Sequence, residues 1–322
     1  MTWGLQGSKP GVPNCTEKLG PSHFTSGLDV AGGVVASKWP WRDWRHLSQN
    51  KFLGFSNPLG SSPRWLLPKE TLCASPRGLS RGLVLVQSCS HTPILRSQSH
   101  KVTALDLAAS GINPKQVSNV KSYTDYFKPL IDVMDKLPKK ERVILVGHSL
   151  GGLAISHAME TFPHKVAVAV FVTAEMPSPP SNFSNTGRKL PPMDNKFSYE
   201  DGPNKPPTIF SFGPKFLASN VYNLSPIEDF ILATTLVRAV RLVSLEEVWK
   251  EIVLSDEKYG SVRRVFVVSG EDKLIDEGVL RRWLKDNPPD LVLEIKGSDH
   301  MVMFSKPKEL SSGLHNISKI YL

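Results

Sequence analysis

Residues 143–156 read VILVGHSLGGLAIS, and this stretch decides the fold. Val143, Ile144, Leu145 and Val146 form a short, unbroken and mostly β-branched apolar run, the pattern of a strand buried on both faces. Leu153, Ala154, Ile155, Ala158 and Met159 then recur at helical spacing. Between the two, Gly147 to Gly151 spell G-x-S-x-G. Strand, pentapeptide and helix in that order make a nucleophile elbow, a sharp turn that lifts a serine hydroxyl into an open pocket on strained backbone. Small residues at 147 and 151 keep the chains flanking the turn apart. Ser149 is therefore the candidate nucleophile.

Downstream and upstream of the elbow the pattern alternates. Strands are expected at Lys101 to Leu107, Arg142 to Val146, Val166 to Thr173, Arg264 to Ser269 and Asp290 to Ile295. Helices are expected at Tyr123 to Leu137, 276–286 and 306–321. Such alternation implies an α/β fold, a mostly parallel central sheet covered by helices on both faces. The stretch between Thr173 and Arg264 breaks the rhythm: it is first polar and Pro-rich, then helical from Ser225 to Arg241 and from Leu245 to Ile252. An insertion there, about residues 174–262, would sit over the carboxyl ends of the strands, where open α/β sheets bind ligands. It reads as a cap above Ser149.

The regular part begins at residue 100. In residues 1–99 turn-forming Gly, Pro and Ser are dense, no long periodic segment occurs, and five of the seven tryptophans are found. The expected organisation is thus an atypical amino-terminal region, 1–99, followed by an α/β domain, 100–322. The +9 net charge divides unevenly: 11 Lys and Arg against 4 Asp and Glu give +7 in residues 1–99, and 28 against 26 give +2 in the remainder. The patterned part is close to neutral and carries no basic stripe interleaved with aromatics, which argues against nucleic-acid binding. No apolar stretch approaches the ~18 residues a membrane span needs, and the first thirty residues show no secretory h-region. Cys15, Cys73 and Cys89 are odd in number and all precede residue 100, so no disulfide framework is expected. A cytoplasmic location follows, with the chloroplast as the alternative because the leader is poor in acids.

A serine hydroxyl needs a base within hydrogen-bond reach and an acid that orients the base. His300, in Gly297-Ser298-Asp299-His300, lies between the last expected strand and the final helix, where the chain order Ser, Asp, His places the base. His148 adjoins Ser149 at the sharp turn, which aims its ring elsewhere and makes it a packing or tuning residue. Four acids are available. Asp299 adjoins His300 and can hardly face its ring, and Asp276 suits a helix N-cap. Glu271 and Asp272 follow the strand ending at Ser269, at its carboxyl edge, and of these Asp272 is favoured. The amide of Leu150, next after the nucleophile, is one expected oxyanion donor. The second should come from a loop after an early strand; Leu83 to Val86 supplies the strand, but Gln87-Ser88-Cys89-Ser90-His91 lacks the usual His-Gly.

Taken together, HKVTALDLAASGINP (100–114), VILVGHSLGGLAIS (143–156), FGPKFLA (212–218), SPIED (225–229), YGSVRRVFVVSGEDK (259–273) and GSDHMVM (297–303) resemble the plant methylesterases of the α/β-hydrolase fold. The resemblance implies hydrolysis of methyl esters of hormone acids such as salicylate, jasmonate and indole-acetate, with Ser149, Asp272 and His300 as the triad and no metal or organic cofactor. It also implies a small-molecule ester as the partner, homodimers as the common assembly, and an apolar acyl pocket from Phe212, Phe216 and Leu217. Cys89 aligns loosely with the second oxyanion donor. The family's amino-terminal strand, H-G-A-type loop and helix are not matched; Gln87 to Ser99 is too short for the whole helix. That departure sets up an alternative, a catalytically impaired ligand-binding hydrolase. Hydroxynitrile lyases share the scaffold but have a Glu-Ser-Cys elbow and a lysine after the histidine, whereas this chain has His148-Ser149-Leu150 and Met301.

Overall fold

The computed structural model describes residues 82–86, 92–179 and 192–322. Its main sheet has six parallel strands: β1 (Gly82–Val86), β2 (Lys101–Leu105), β3 (Val143–His148), β4 (Val166–Val172), then, after the insertion, β8 (Arg264–Ser269) and β9 (Leu291–Ile295), in spatial order β2-β1-β3-β4-β8-β9. Every residue of β1, β3 and β4 is buried, as both-face coverage demands. Alternate residues feed two separate cores. Val84, Val86, Leu145 and Phe171 pack with α2 (Tyr123–Lys136) and α3 (Gly151–Thr161) on one face, while Leu83, Leu85, Ile144 and Val170 pack with α1 (Thr92–Ser97) and α9 (Pro307–Tyr321) on the other.

The expected strands and helices of the 100–322 region are all present, with ends moved by a few residues. The boundary expected at residue 99, by contrast, falls inside the fold. β1 is a central strand, in register with β2 through Leu83↔Val102 and with β3 through Leu83↔Ile144. The connection back to β2 uses the six-residue helix α1, anchored by fully buried Leu95. A short helix therefore suffices where the sequence had no room for a long one.

Between β4 and β8 lie a three-stranded antiparallel sheet, β5 (Lys196–Ser198), β6 (Ile209–Ser211) and β7 (Val240–Arg241), and three helices. These are α4 (Pro214–Phe216), which runs into a π-helical turn at Leu217–Val221, α5 (Ile227–Leu236) and α6 (Leu245–Glu251). The helix expected from Ser225 to Arg241 is shorter: it stops at Leu236, and the chain turns so that Val240 and Arg241 can pair with β6. The guanidinium of Arg238 drives that turn by donating to the carbonyls of Gly111, Asn113 and Lys115. Helices α7 (Glu277–Asp286) and α8 (Val302–Ser305) complete the domain around β9. Among the described residues no helix is long and apolar enough to cross a membrane.

Candidate active site

Ser149 stands between β3 and α3 with φ +53°, in the left-handed region that a residue with a Cβ adopts only at a cost of about 1–3 kcal/mol. The surrounding backbone enforces it. The Ser149 amide donates to the Val172 carbonyl at 3.3 Å, and its carbonyl accepts from Gly152 at 3.0 Å and Glu175 at 3.2 Å. The glycines are dictated by close approach: a Cβ on Gly147 would lie 2.6 Å from the Gly151 carbonyl oxygen, and one on Gly152 would lie 2.1 Å from the Glu175 carbonyl oxygen.

His300 reaches the serine from the loop after β9. Its Nε2 is 3.1 Å from Ser149 Oγ and its Nδ1 is 2.8 Å from Asp272 Oδ2. Asp272 also accepts the amides of Leu274 at 2.7 Å and Ile275 at 3.2 Å. Burial alone would raise the Asp272 pKa; the imidazole's charge and hydrogen bond, with those two amides, outweigh it and hold the carboxyl below the usual range. The side chains of His300 and Asp272 are 3% and 7% exposed, so the pair works in a dry setting. The three expected triad residues are thus brought together.

The other three acids are accounted for. Asp276 caps α7 by accepting the Val279 amide at 3.1 Å, Glu271 is exposed, and Asp299 turns away from the imidazole toward the cap. The His148 Nε2 donates to the His300 carbonyl at 2.8 Å, and the centroids of the two imidazole rings lie 4.8 Å apart. Thr173, which no local pattern singles out, donates its Oγ1 to the same carbonyl at 3.2 Å from φ +42° backbone just past β4.

These groups open into a cavity of about 690 Å³, within the usual range for small-molecule sites. Its wall is mostly apolar and comes largely from the cap: Phe212, Leu217, Val221, Leu232, Leu236 and Trp249 all line it. Phe212 and Leu217 are two of the three residues that the resemblance assigned to an acyl pocket. Phe216 is a correction: it is fully buried behind the wall, its ring centroid 6.4 Å from Phe210 and 6.2 Å from Phe212, because its turn of helix faces the cap's own core. Tyr222 was missed. It lines the cavity with its pKa pushed up to about 12, first by burial and then by Asp299 and Asp229, so its hydroxyl stays a neutral donor. Leu150 also lines the cavity and is the N-cap of α3, which leaves its amide at the helix start, where backbone N–H groups lack helical partners. Cys89 lies outside the described residues. Among the described residues no cluster of three or more His, Cys, Asp or Glu is gathered to hold a metal ion.

The sequence profile of the alpha/beta hydrolase family matches residues 83–312. Methyl jasmonate esterase 1 of Vitis vinifera is 46% identical over 255 residues, which cover 75% of this chain and 98% of that protein. Salicylic acid-binding protein 2 of Nicotiana tabacum is 42% identical over 71% of this chain and 90% of its own length. Among solved structures, tomato methylketone synthase I in complex with 2-tridecanone superposes with a TM-score of 0.72 at 48% identity, covering 76% of this chain and 99% of that one. The parallel sheet, the elbow and these relatives agree: the chain belongs to the alpha/beta hydrolase family and, within it, to the plant methylesterase group of carboxylic ester hydrolases.

Proposed function

We propose that the protein hydrolyses methyl esters of small, largely apolar acids, of the methyl jasmonate, methyl salicylate and methyl indole-acetate class, through an acyl-Ser149 intermediate. The observation that carries this reading is the unbroken chain Ser149 Oγ, His300 Nε2, His300 Nδ1, Asp272 Oδ2, with steps of 3.1 Å and 2.8 Å between residues, opening into an apolar cavity. The relatives named for methyl jasmonate and salicylic acid support the acid class.

Each residue has one task. His300 Nε2 takes the Ser149 proton as Oγ adds to the ester carbonyl, and Asp272 holds the ring so that Nε2 is the free acceptor and stabilises the imidazolium. The carbonyl oxygen, now negative, is met by the Leu150 amide; the sequence aligns Cys89 only loosely with a second donor, and that residue lies outside the described ones. Collapse breaks the carbon–methoxy bond, and His300 gives its proton to the departing methoxy oxygen, which leaves as methanol. Water then adds to the acyl-serine with His300 again as base, freeing the acid. The acyl group lies against Phe212 and Leu217.

A panel of methyl esters, with release of the free acid followed by chromatography, tests this. Turnover of at least one of the three classes by the parent chain and none by Ser149→Ala is expected. Turnover that survives Ser149→Ala would eliminate the acyl-serine route.

A further inference from the structure

Asp299 is fully buried beside His300, yet its carboxylate serves the cap. Oδ2 accepts the Leu224 amide at 2.8 Å, the Ser225 amide at 2.7 Å and Ser225 Oγ at 2.8 Å, and Oδ1 accepts the Met301 amide at 3.1 Å. All four partners are donors, which suits an ionised carboxylate. Its main chain is fixed as well: the amide donates to Ser305 Oγ at 3.2 Å and the carbonyl accepts from Ser269 Oγ at 2.8 Å. One residue on, the His300 carbonyl is held by His148 and Thr173.

On the cap side, Leu224 and Ser225 lead directly into α5, whose Leu232, Ala233, Leu236 and Val237 form part of the cavity wall. None of the ten residues of α5 is buried. Half-buried Phe230 packs against the cluster of Phe216, Leu217 and Val221 and beside the Tyr222 ring. Polar ties hold the two ends, Asp299 at the start and Arg238 just past the end.

We propose that Asp299 is a positioning residue that couples the cap wall to the triad: one carboxylate sets the approach of α5 to the acyl group and the backbone that presents His300. This rests on the esterase reading for its substrate and on the hydrogen bonds alone for the coupling. A charge-assisted tie of this kind is worth roughly one power of ten or more in an equilibrium.

The experiment uses the full chain with Asp299→Asn and Ser225→Ala, at a temperature where circular dichroism shows each variant folded. Two readouts report on His300: kcat for p-nitrophenyl acetate, whose acyl group is too small to need the cap, and the rate at which a fluorophosphonate labels Ser149. Two report on the cap: KM for methyl jasmonate, and the concentration of jasmonic acid that protects Ser149 from the label. Ser225→Ala is expected to leave the first pair within twofold and weaken the second by about 5- to 10-fold. Asp299→Asn is expected to weaken the second pair at least as much and also to slow the first by about 10-fold or more. A purely structural role would lower the melting temperature and move neither pair.

Parental values of both pairs in folded Asp299→Asn, or unchanged jasmonate protection in Ser225→Ala, would overturn the coupling. If Asp299→Asn does not fold, Asp299→Glu, which keeps the carboxylate but not its reach, is read by the same two pairs, and parental values of both would overturn the coupling. Labelling and protection need no turnover, so failure to hydrolyse any methyl ester would sink the proposed reaction while the clamp was still decided.

Discussion

Replacing Asp272 by Asn removes a charge from a site where geometry leaves little room for compensation. The carboxylate receives three hydrogen bonds, from His300 Nδ1 and the amides of Leu274 and Ile275, and the side chain is 7% exposed. An asparagine oxygen can keep the two amides, which then turns its NH2 toward His300. Nδ1 must become an acceptor and the ring proton moves to Nε2, where it points at Ser149 Oγ. In that tautomer the base cannot accept the serine proton. The equivalent exchange in a serine-protease triad costs about 10⁴-fold in kcat, or about 5.4 kcal/mol of barrier. The assay is initial-rate hydrolysis of p-nitrophenyl acetate by purified Asp272→Asn beside the parent. A fall of about 10⁴-fold in kcat, with KM little changed and the circular-dichroism spectrum retained, is expected. A folded variant keeping more than about a tenth of parental kcat would refute the role given to Asp272.

The same substitution has a signature in stability. Because the folded-state pKa of Asp272 lies below its unfolded value, its contribution is present above the ordinary carboxylate pKa of about 3.9 and is lost as pH falls through the lower folded value. The urea-midpoint advantage of the parent over Asp272→Asn should therefore shrink as pH falls below the ordinary carboxylate value of about 3.9; a gap that widens on acidification contradicts the depressed pKa. Gly152→Ala puts a Cβ 2.1 Å from the Glu175 carbonyl oxygen, a backbone clash relieved only by moving the elbow. A stability loss of about 1–3 kcal/mol is expected together with a drop in kcat of about 10²-fold, read by thermal melts and initial rates, and an active, fully stable variant would show the approach is looser than drawn. Phe216→Ala and Phe212→Ala should separate. The first empties a fully buried site and costs about 3–5 kcal/mol in denaturant unfolding; the second mainly raises KM for methyl jasmonate, and the reverse pattern would exchange their assignments.

What could be read in the sequence was local. VILVGHSLGG carries its structure in its own residues, a buried strand and a tight turn, although the pentapeptide pattern sets the small residues at 147 and 151 while the close approaches fall at 147 and 152; chain order pointed to His300 as the partner of Ser149, and left Asp272 favoured over Glu271. What could not be read depends on distant partners. Thr173 meets the His300 carbonyl across 127 positions, and Asp299 meets Ser225 across 74, so neither role leaves a mark in a local pattern. The end of α5 was hidden for a related reason: the apolar run through Val240 looks helical, and only Arg238 reaching back to Gly111, Asn113 and Lys115 shows why it turns. Phe216 and Phe212 are chemically alike, and only the fold separates them: Phe216 on α4 turns into the buried cluster, while Phe212, in the link between β6 and α4, lines the cavity. The boundary near residue 99 came from composition, which is insensitive to a single five-residue strand such as Gly82–Val86.

The central claim, that Ser149 is the residue acylated, is tested most directly by the covalent adduct itself. The parent chain treated with a fluorophosphonate and digested should carry one phosphonyl group on the peptide containing Ser149, with labelling abolished in Ser149→Ala and strongly slowed in His300→Ala. Labelling elsewhere at the same rate, or an active parent in which Ser149 stays unmodified, would contradict it.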